Sequence, residues 1–326
     1  MPRERIEFAG VSLAARVLPV LPVAVYSPLA RLAGNAVWSM DPRGRRVARA
    51  NLRAAFPGRF TASEVGRVAR ASYASFARTM IELVSARGGR PGFLDRFVEF
   101  DDSADPVRTD PGRSAIYICF HYSNFEWLSL YGALRIMPAP IIAQRFRNPL
   151  IGPVFDRLRA VTGHHVIPQE RAMIRMLGHL REKKKFGMLT DLGLDPREGG
   201  AIINAFGGLA LNATHMHVAL AQRTGAAIIP LEIRPRGLRR YRVVHHPPIE
   251  CPRDADPRPL VQKCWDALES AVREEPEHWL WAYKHWRFRP GAGDASRYPF
   301  YANRSKRFDK ALKKAGLAGG TSGNQA

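Results

Sequence analysis

The sequence predicts an α/β fold with a mostly parallel central sheet flanked by helices, entered through an N-terminal apolar helical segment. Three observations carry this expectation. Strand-like apolar runs alternate with helical patterns from residue 114 onward, which is the signature of crossover connections and a sheet covered on both faces. A chain of 326 residues with 46% hydrophobic content can bury a substantial core. The sequence also shows no internal repeat.

Taken in order, Phe8 to Trp38 is rich in Val, Leu and Ala, but Arg16 and Arg31 interrupt it and Pro19, Pro22 and Pro28 lie between them. A bilayer span needs about 20 predominantly apolar residues, so a kinked, interfacial hydrophobic entry is expected here rather than a spanning helix. No small-residue cleavage site follows a clean apolar stretch, and no removed signal peptide is expected. Arg43, Arg45, Arg46, Arg49 and Arg53 come next, as a basic face for anionic headgroups or for solvent. Thr61-Ala-Ser-Glu64 then reads as a capping box opening a long helix through Met80 and Leu83. The Gly- and Pro-rich run at 87–92 ends it.

Strand-like runs follow at 114–120, 139–144, 164–167, 186–190, 201–206, 226–233 and 240–246, with helical patterns at 124–137, 150–162, 169–183 and 212–224. Arg240-Tyr-Arg-Val-Val244 is close enough to the strand before it to pair antiparallel. The expected organisation is a membrane-contacting segment and basic helix over 1–60, an α/β domain over 61–300, and a basic helix with a small, polar, disordered tail over 301–326.

The net charge of +21 asks for an anionic partner. The sequence has no zinc spacing, no RNA-binding aromatic motif and no basic region with heptads, so nucleic acid is not the expected partner. Cys119, Cys251 and Cys264 are odd in number and scattered, which argues against a disulfide framework and fits a reducing compartment. Cys119 sits inside an apolar strand run and reads as core.

The chemistry concentrates at His121-Tyr-Ser-Asn-Phe-Glu126, directly after the run Ser114 to Phe120. Residues five apart on one helix lie about 140° apart. His121 and Glu126 therefore converge only if the histidine precedes the helix and the glutamate sits in its first turn. A neutral imidazole can then take a proton from a hydroxyl while a carboxylate fixes its tautomer. Ser123-x-x-Glu126 is equally a capping box, and His121 equally a satisfied histidine at a strand end. In an open α/β sheet, ligands gather at the carboxyl ends of strands, and His121, Arg145 and Asp191 all fall at or just beyond such ends. His215 and His217 are two apart and do not share a helix face, and no metal site is expected.

The hexapeptide with its surroundings resembles the H-x4-D/E block of glycolipid and lysophospholipid acyltransferases, in particular the bacterial lipid A biosynthesis acyltransferase family. Blocks agree in order from about residue 40 to 290: Arg46 to Pro57 with its Asn-Leu and Phe-Pro, Ala143 to Pro149, Arg157 to Gly163, Leu189-Thr-Asp191, Ala205-Phe-Gly-Gly208, Arg273 to Trp281 with Pro-x-x-Trp-x-Trp, and Trp286 to Pro290. This chain departs from the family pattern at Ser123, Phe125 and Leu192, and in Asn212 to His217. The resemblance implies a glycerolipid-acyltransferase-like sheet, with His121 and Glu126 as catalytic residues. It implies Arg145 and Arg159 as ligands for phosphate or carboxylate, Asp191 as an orienter of the acceptor, and Asn124 as a substrate-binding residue beside them.

It further implies transfer of a fatty acyl chain to a glycolipid hydroxyl from an acyl carrier protein or coenzyme A thioester, with no bound cofactor. The implied acceptor is a lipid A precursor, with a phosphatidylinositol mannoside or another bacterial glycolipid as the other candidate. The implied place is the cytoplasmic face of the bacterial inner membrane, against an anionic surface. A reading of another class is a non-catalytic basic protein that binds membrane or nucleic acid.

Overall fold

The computed structural model describes residues 2–85, 89–90, 92–100, 112–142, 146–167, 172–237, 240–291 and 295–317. Four helices come first: α1 (Pro2–Val17), α2 (Tyr26–Met40), α3 (Pro42–Ala55) and α4 (Ala62–Val84). Pro19 and Pro22 fall in the two short 3₁₀ turns and the break that separate α1 from α2, as missing N–H groups require. Asp41 caps α3 by accepting from the Gly44 N–H at 2.8 Å, with Pro42 in its first position. The capping box at α4 is complete: Thr61 Oγ1 accepts from Glu64 N–H at 3.3 Å and Glu64 accepts from Thr61 N–H at 2.9 Å. No helix among the described residues is long and apolar enough to cross a membrane.

The rest alternates: β1 (Val98–Phe100), β2 (Ala115–Cys119), α5 (Phe125–Arg135), β3 (Pro140–Ile142), α6 (Gly152–Ala160), β4 (His165–Ile167), α7 (Ala172–Arg181), β5 (Lys185–Leu189), β6 (Ala201–Ala205), β7 (Leu209–Ala213), α8 (Met216–Thr224), β8 (Ala227–Arg236), β9 (Arg240–His245), α9 (Pro257–Glu274) and α10 (Lys306–Lys314). The central sheet has the order β1-β9-β8-β2-β5. Every neighbour in it is parallel except β8 and β9, which pair antiparallel as the short connection suggested.

Side chains of the central strands alternate between two cores. Ile116, Ile118, Phe186 and Ile228 pack with Val65, Val218, Leu220 and Trp265 on one face. Ala115, Tyr117, Ile229, Leu231 and Ile233 pack with Trp127, Leu130, Tyr131, Phe155 and Leu158 on the other. Each fully buried large side chain contributes roughly 1.5–3 kcal/mol, and both faces being covered is why these strands read as continuous apolar runs.

The structure corrects three expectations of detail. The helix expected from residue 212 starts at Met216, and residues 212 and 213 instead end a strand over Leu209–Ala213: Phe206, Gly207 and Gly208 take φ of 49°, 75° and 130°, a turn that folds β7 back antiparallel on β6. That hairpin, and the parallel pair β3 and β4, stand apart from the central sheet. The long helix α9 and the edge strand β1 were not foreseen. Asp256 caps α9 by accepting from the Arg258 N–H at 3.0 Å, and Pro257 stands in its first position.

Candidate active site at the carboxyl end of the sheet

β2 and β5 lie side by side in parallel register, Ile118 opposite Met188 and Cys119 opposite Leu189. The Thr190 N–H donates to the Cys119 carbonyl at 3.0 Å, which carries the register past the strand ends. Two residues beyond it, His121 and Asp191 therefore meet. Asp191 Oδ2 accepts the His121 backbone N–H at 3.0 Å and Oδ1 accepts the ring Nδ1–H at 2.7 Å. The indole Nε1–H of Trp279 donates to Oδ2 at 2.7 Å. Asp191 is 0% exposed, so three donors replace the water it has lost.

With Asp191 on Nδ1, the neutral ring carries its proton there and presents the lone pair of Nε2. No described residue bonds Nε2, and the His121 side chain keeps 16% of its surface. Burial works against charge on both partners, but their mutual attraction and hydrogen bond outweigh it. The His121 pKa is raised above the ordinary 6.5 and that of Asp191 is held below the ordinary 3.8. The arrangement is a base, oriented by a buried anion, with its working nitrogen open.

Glu126 is placed as the sequence suggested, in the first turn of α5 with His121 ahead of the helix, but it does not orient the ring. Its carboxylate is gripped by Arg159 of α6, Nη2 to Oε1 at 2.6 Å and Nε to Oε2 at 3.1 Å. That bidentate pair locks α5 to α6 and also engages the guanidinium expected to bind substrate. Glu126 still acts through space, its charge adding to the raised His121 pKa.

The alternative capping box is absent as well. Asn124, not Ser123, caps α5, its Oδ1 accepting from Trp127 N–H at 2.9 Å. Asn124 Nδ2 donates to Glu82, which also accepts from Arg78 Nε at 2.8 Å and Tyr241 hydroxyl at 2.7 Å. Both ends of the Asn124 amide are thus committed to protein partners rather than free for substrate. Ser123 sits at φ 50°, held by its N–H to the His278 carbonyl at 2.8 Å and by Thr79 Oγ1 donating to its own carbonyl at 2.8 Å. Arg145 lies outside the described residues.

Three side chains of the site carried no assigned role in the sequence: Trp279, His285 and Arg287. Trp279 belongs to the Pro-x-x-Trp-x-Trp block, and the polar indole edge of a buried tryptophan needs an acceptor, which is Asp191. The ring of His285 stacks on Trp279 at 4.0 Å and places Nδ1 3.3 Å from the Asp191 carbonyl. Burial pushes the His285 pKa down to about 4, so it stays neutral beneath the His121–Asp191 pair. Arg287 Nη2 donates to the Gly193 carbonyl at 2.7 Å. The approach of this segment demands glycine: a Cβ on Gly193 would meet the His285 carbonyl oxygen at 2.6 Å. Below lie Phe206, Trp281 and Trp286, with Phe206 5.4 Å from Trp279.

Cys119 is a poor nucleophile, since burial pushes its thiol up to about 12. His217 is buried, and burial pushes its pKa down to about 3. A search of curated proteins returns no match to this chain. The family comparison does: residues 1–288 match the bacterial lipid A biosynthesis acyltransferase family, whose members are acyltransferases, and this chain belongs to that family.

Proposed function

We propose that this acyltransferase moves a fatty acyl chain from an acyl carrier protein or coenzyme A thioester to a hydroxyl of a lipid A precursor, with His121 as general base. The observation that carries the proposal is the open Nε2 of a histidine whose Nδ1–H is held by fully buried Asp191. Nε2 removes the hydroxyl proton as the oxygen bonds to the thioester carbonyl carbon. The tetrahedral oxyanion then collapses, breaking the carbon–sulfur bond. The leaving thiolate takes the proton back from Nε2, giving ester and thiol. Asp191 stabilises the imidazolium formed in between. No serine or cysteine nucleophile is required, because the acceptor oxygen attacks directly.

The proposed place of work is the surface of the inner membrane on its cytoplasmic side, with residues 1–60 making the contact. Ile6, Leu13 and Val20 near the start, and Leu32, Val37 and Met40 on α2, expose most of their side chains to solvent, as an element lying in a lipid interface does. Arg43, Arg45, Arg46, Arg49 and Arg53 follow on or beside α3, and their charge suits anionic headgroups. The test is acyl transfer by purified protein, with radiolabelled acyl carrier protein or coenzyme A thioesters and lipid A precursor. Transfer by wild type and its loss in folded His121→Ala support the reading. Undiminished transfer by that variant overturns the role of His121. Comparing lipid mass spectra of a deletion strain and its parent identifies the acceptor as the species one acyl group lighter.

A further inference from the structure

A cavity of about 740 Å³ opens between α2, α4 and residues Pro235 and Gly237 at the end of β8; Ser123 and His278 are among its lining residues and His121 and Asp191 are not. Its size is that of a ligand pocket. Ala30, Ala71 and Ala74 supply an apolar floor, and arginines converge on it: Arg31, Arg49, Arg67, Arg70 and Arg78. Arg78 is neutralised by Glu82, and Arg67 is 3.4 Å from Glu64. The remaining three have no carboxylate partner among the described residues. Arg70 is fixed through Nε, which donates to Asn35 Oδ1 at 2.7 Å, and Arg49 is laid over the Trp38 ring at 5.3 Å. A neutral amide and an aromatic face orient these guanidinium groups without cancelling their charge. Glu277 is the one carboxylate among the lining residues. The positive excess is enlarged by Arg45 and Arg53, which share a groove on α3 with Arg49.

We infer that this cavity is a binding site for the phosphate group of a phosphorylated lipid, held by Arg31, Arg49 and Arg70. Planar forks suit phosphate oxygens, and three uncompensated charges suit a phosphate monoester better than a carboxylate. The lipid source follows from the helix that forms the wall. α2 sends Ala30, Arg31 and Asn35 to the cavity, while Leu32, Val37 and Met40 on the same helix stand 69%, 51% and 80% exposed. An amphiphile whose phosphate enters beside Arg31 therefore finds Leu32 next to it and Val37 and Met40 about two to three turns further along the same helix as apolar surface for its chains. A soluble nucleotide would use only the charge. The site goes beyond the acyl-transfer reading and does not need it.

The probe is dihexanoyl phosphatidic acid, used below its micelle concentration and titrated calorimetrically into the full-length protein. Saturable binding is expected. Arg31→Gln/Arg70→Gln should weaken it about tenfold, as loss of charge-assisted contacts implies. Arg175→Gln/Arg181→Gln removes the same charge from exposed positions on α7 and should leave binding within about twofold. Arg31→Gln alone guards against misfolding, since Arg31 has no partner to lose among the described residues. Dihexanoylglycerol should bind at least about tenfold more weakly, and coenzyme A should not displace the probe. His121→Ala should bind like wild type, which keeps this site distinct from the catalytic proposal. Equal weakening by both double variants would reduce the effect to general charge and overturn the site. Displacement by coenzyme A would overturn the lipid assignment.

Discussion

Asp191 stands beside His121 because β2 and β5 are parallel neighbours in register, and it accepts both the backbone and the ring N–H of that histidine at 3.0 and 2.7 Å. This pair, rather than His121 with Glu126, supplies the base and its orienter in the proposed mechanism, and it is the relationship most open to test.

His121→Ala should fold and lose about 10²–10⁴-fold in turnover, the usual contribution of a general base. Asp191→Asn should lose activity of the same order while changing the pH profile in a way that His121→Ala cannot. The base works when neutral, so the wild-type rate should rise with pH through a pKa above the ordinary 6.5 of histidine. Removing the carboxylate that raises this value moves the acid limb to lower pH. An Asp191→Asn profile superimposable on wild type would exclude the orienting role.

The same pair couples stability to pH in opposite senses. Asp191 has a depressed pKa, so its stabilisation is present above the ordinary carboxylate value and fades as pH falls through the depressed one. His121 has a raised pKa, and its stabilisation fades as pH rises past that value. Chemical denaturation across pH should show both losses in wild type and neither in the double variant His121→Ala/Asp191→Asn.

Glu126→Gln and Arg159→Met should each cost about 3–5 kcal/mol, because either leaves one charge buried without its partner. The double variant should cost less than the sum, with a coupling of about 1–3 kcal/mol. Denaturant unfolding of the four proteins measures it. Strict additivity would mean the bidentate pair contributes nothing as a pair.

How much of this was legible beforehand depended on range along the chain. The strand and helix pattern, the placement of His121 before α5 and of Glu126 in its first turn, and the antiparallel β8–β9 pairing all follow from local spacing. The His121–Asp191 contact does not. It needs the neighbour order of strands seventy residues apart, and nothing in the spacing of either block says that β5 lies next to β2. Both residues could be seen to end strands, which put them on one rim. Glu126 looked like the partner because it is near in sequence, and Arg159 outbids His121 for it only once α6 packs on α5. Trp279 was visible as part of a block but silent, since an indole acquires its role from whichever acceptor the fold brings.

Gly34→Ala should destabilise the protein by about 1–3 kcal/mol, as overpacking does. Its added Cβ would meet the Ala74 Cα at 2.5 Å, so α2 must move off α4. Thermal unfolding checks the cost. A neutral result would show that this crossing has slack.

Replacing Leu32, Val37 and Met40 by serine should weaken binding to anionic vesicles while leaving the fold intact, since these side chains are exposed. Glutamine at the five arginines of residues 43–53 should remove the salt-sensitive part, because exposed charges are screened over about 8–10 Å near physiological ionic strength. Deleting residues 1–38 is a poorer test, as it also takes Tyr26, Ala30 and Trp38 out of the interior. Unchanged partitioning of both surface variants in a flotation assay would place any membrane contact elsewhere.

Asn51 of α3 donates to the carbonyls of Trp281 and Tyr283 at 2.8 and 2.7 Å and accepts from the Tyr301 hydroxyl, while Trp279 from the same distal segment completes the shell of Asp191. These contacts join residues 230 to 250 positions apart. A nascent chain emerging N-terminus first can pair β2 with β5 well before it is finished, yet the anion between them keeps an empty donor position until residue 279 has cleared the ribosome. Such non-local closure slows folding and leaves the unfinished sheet exposed meanwhile. The donor shell of Asp191 is therefore complete only once residue 279 has been made, and a product truncated shortly before Trp279 should be a sheet in which Asp191 lacks its indole donor.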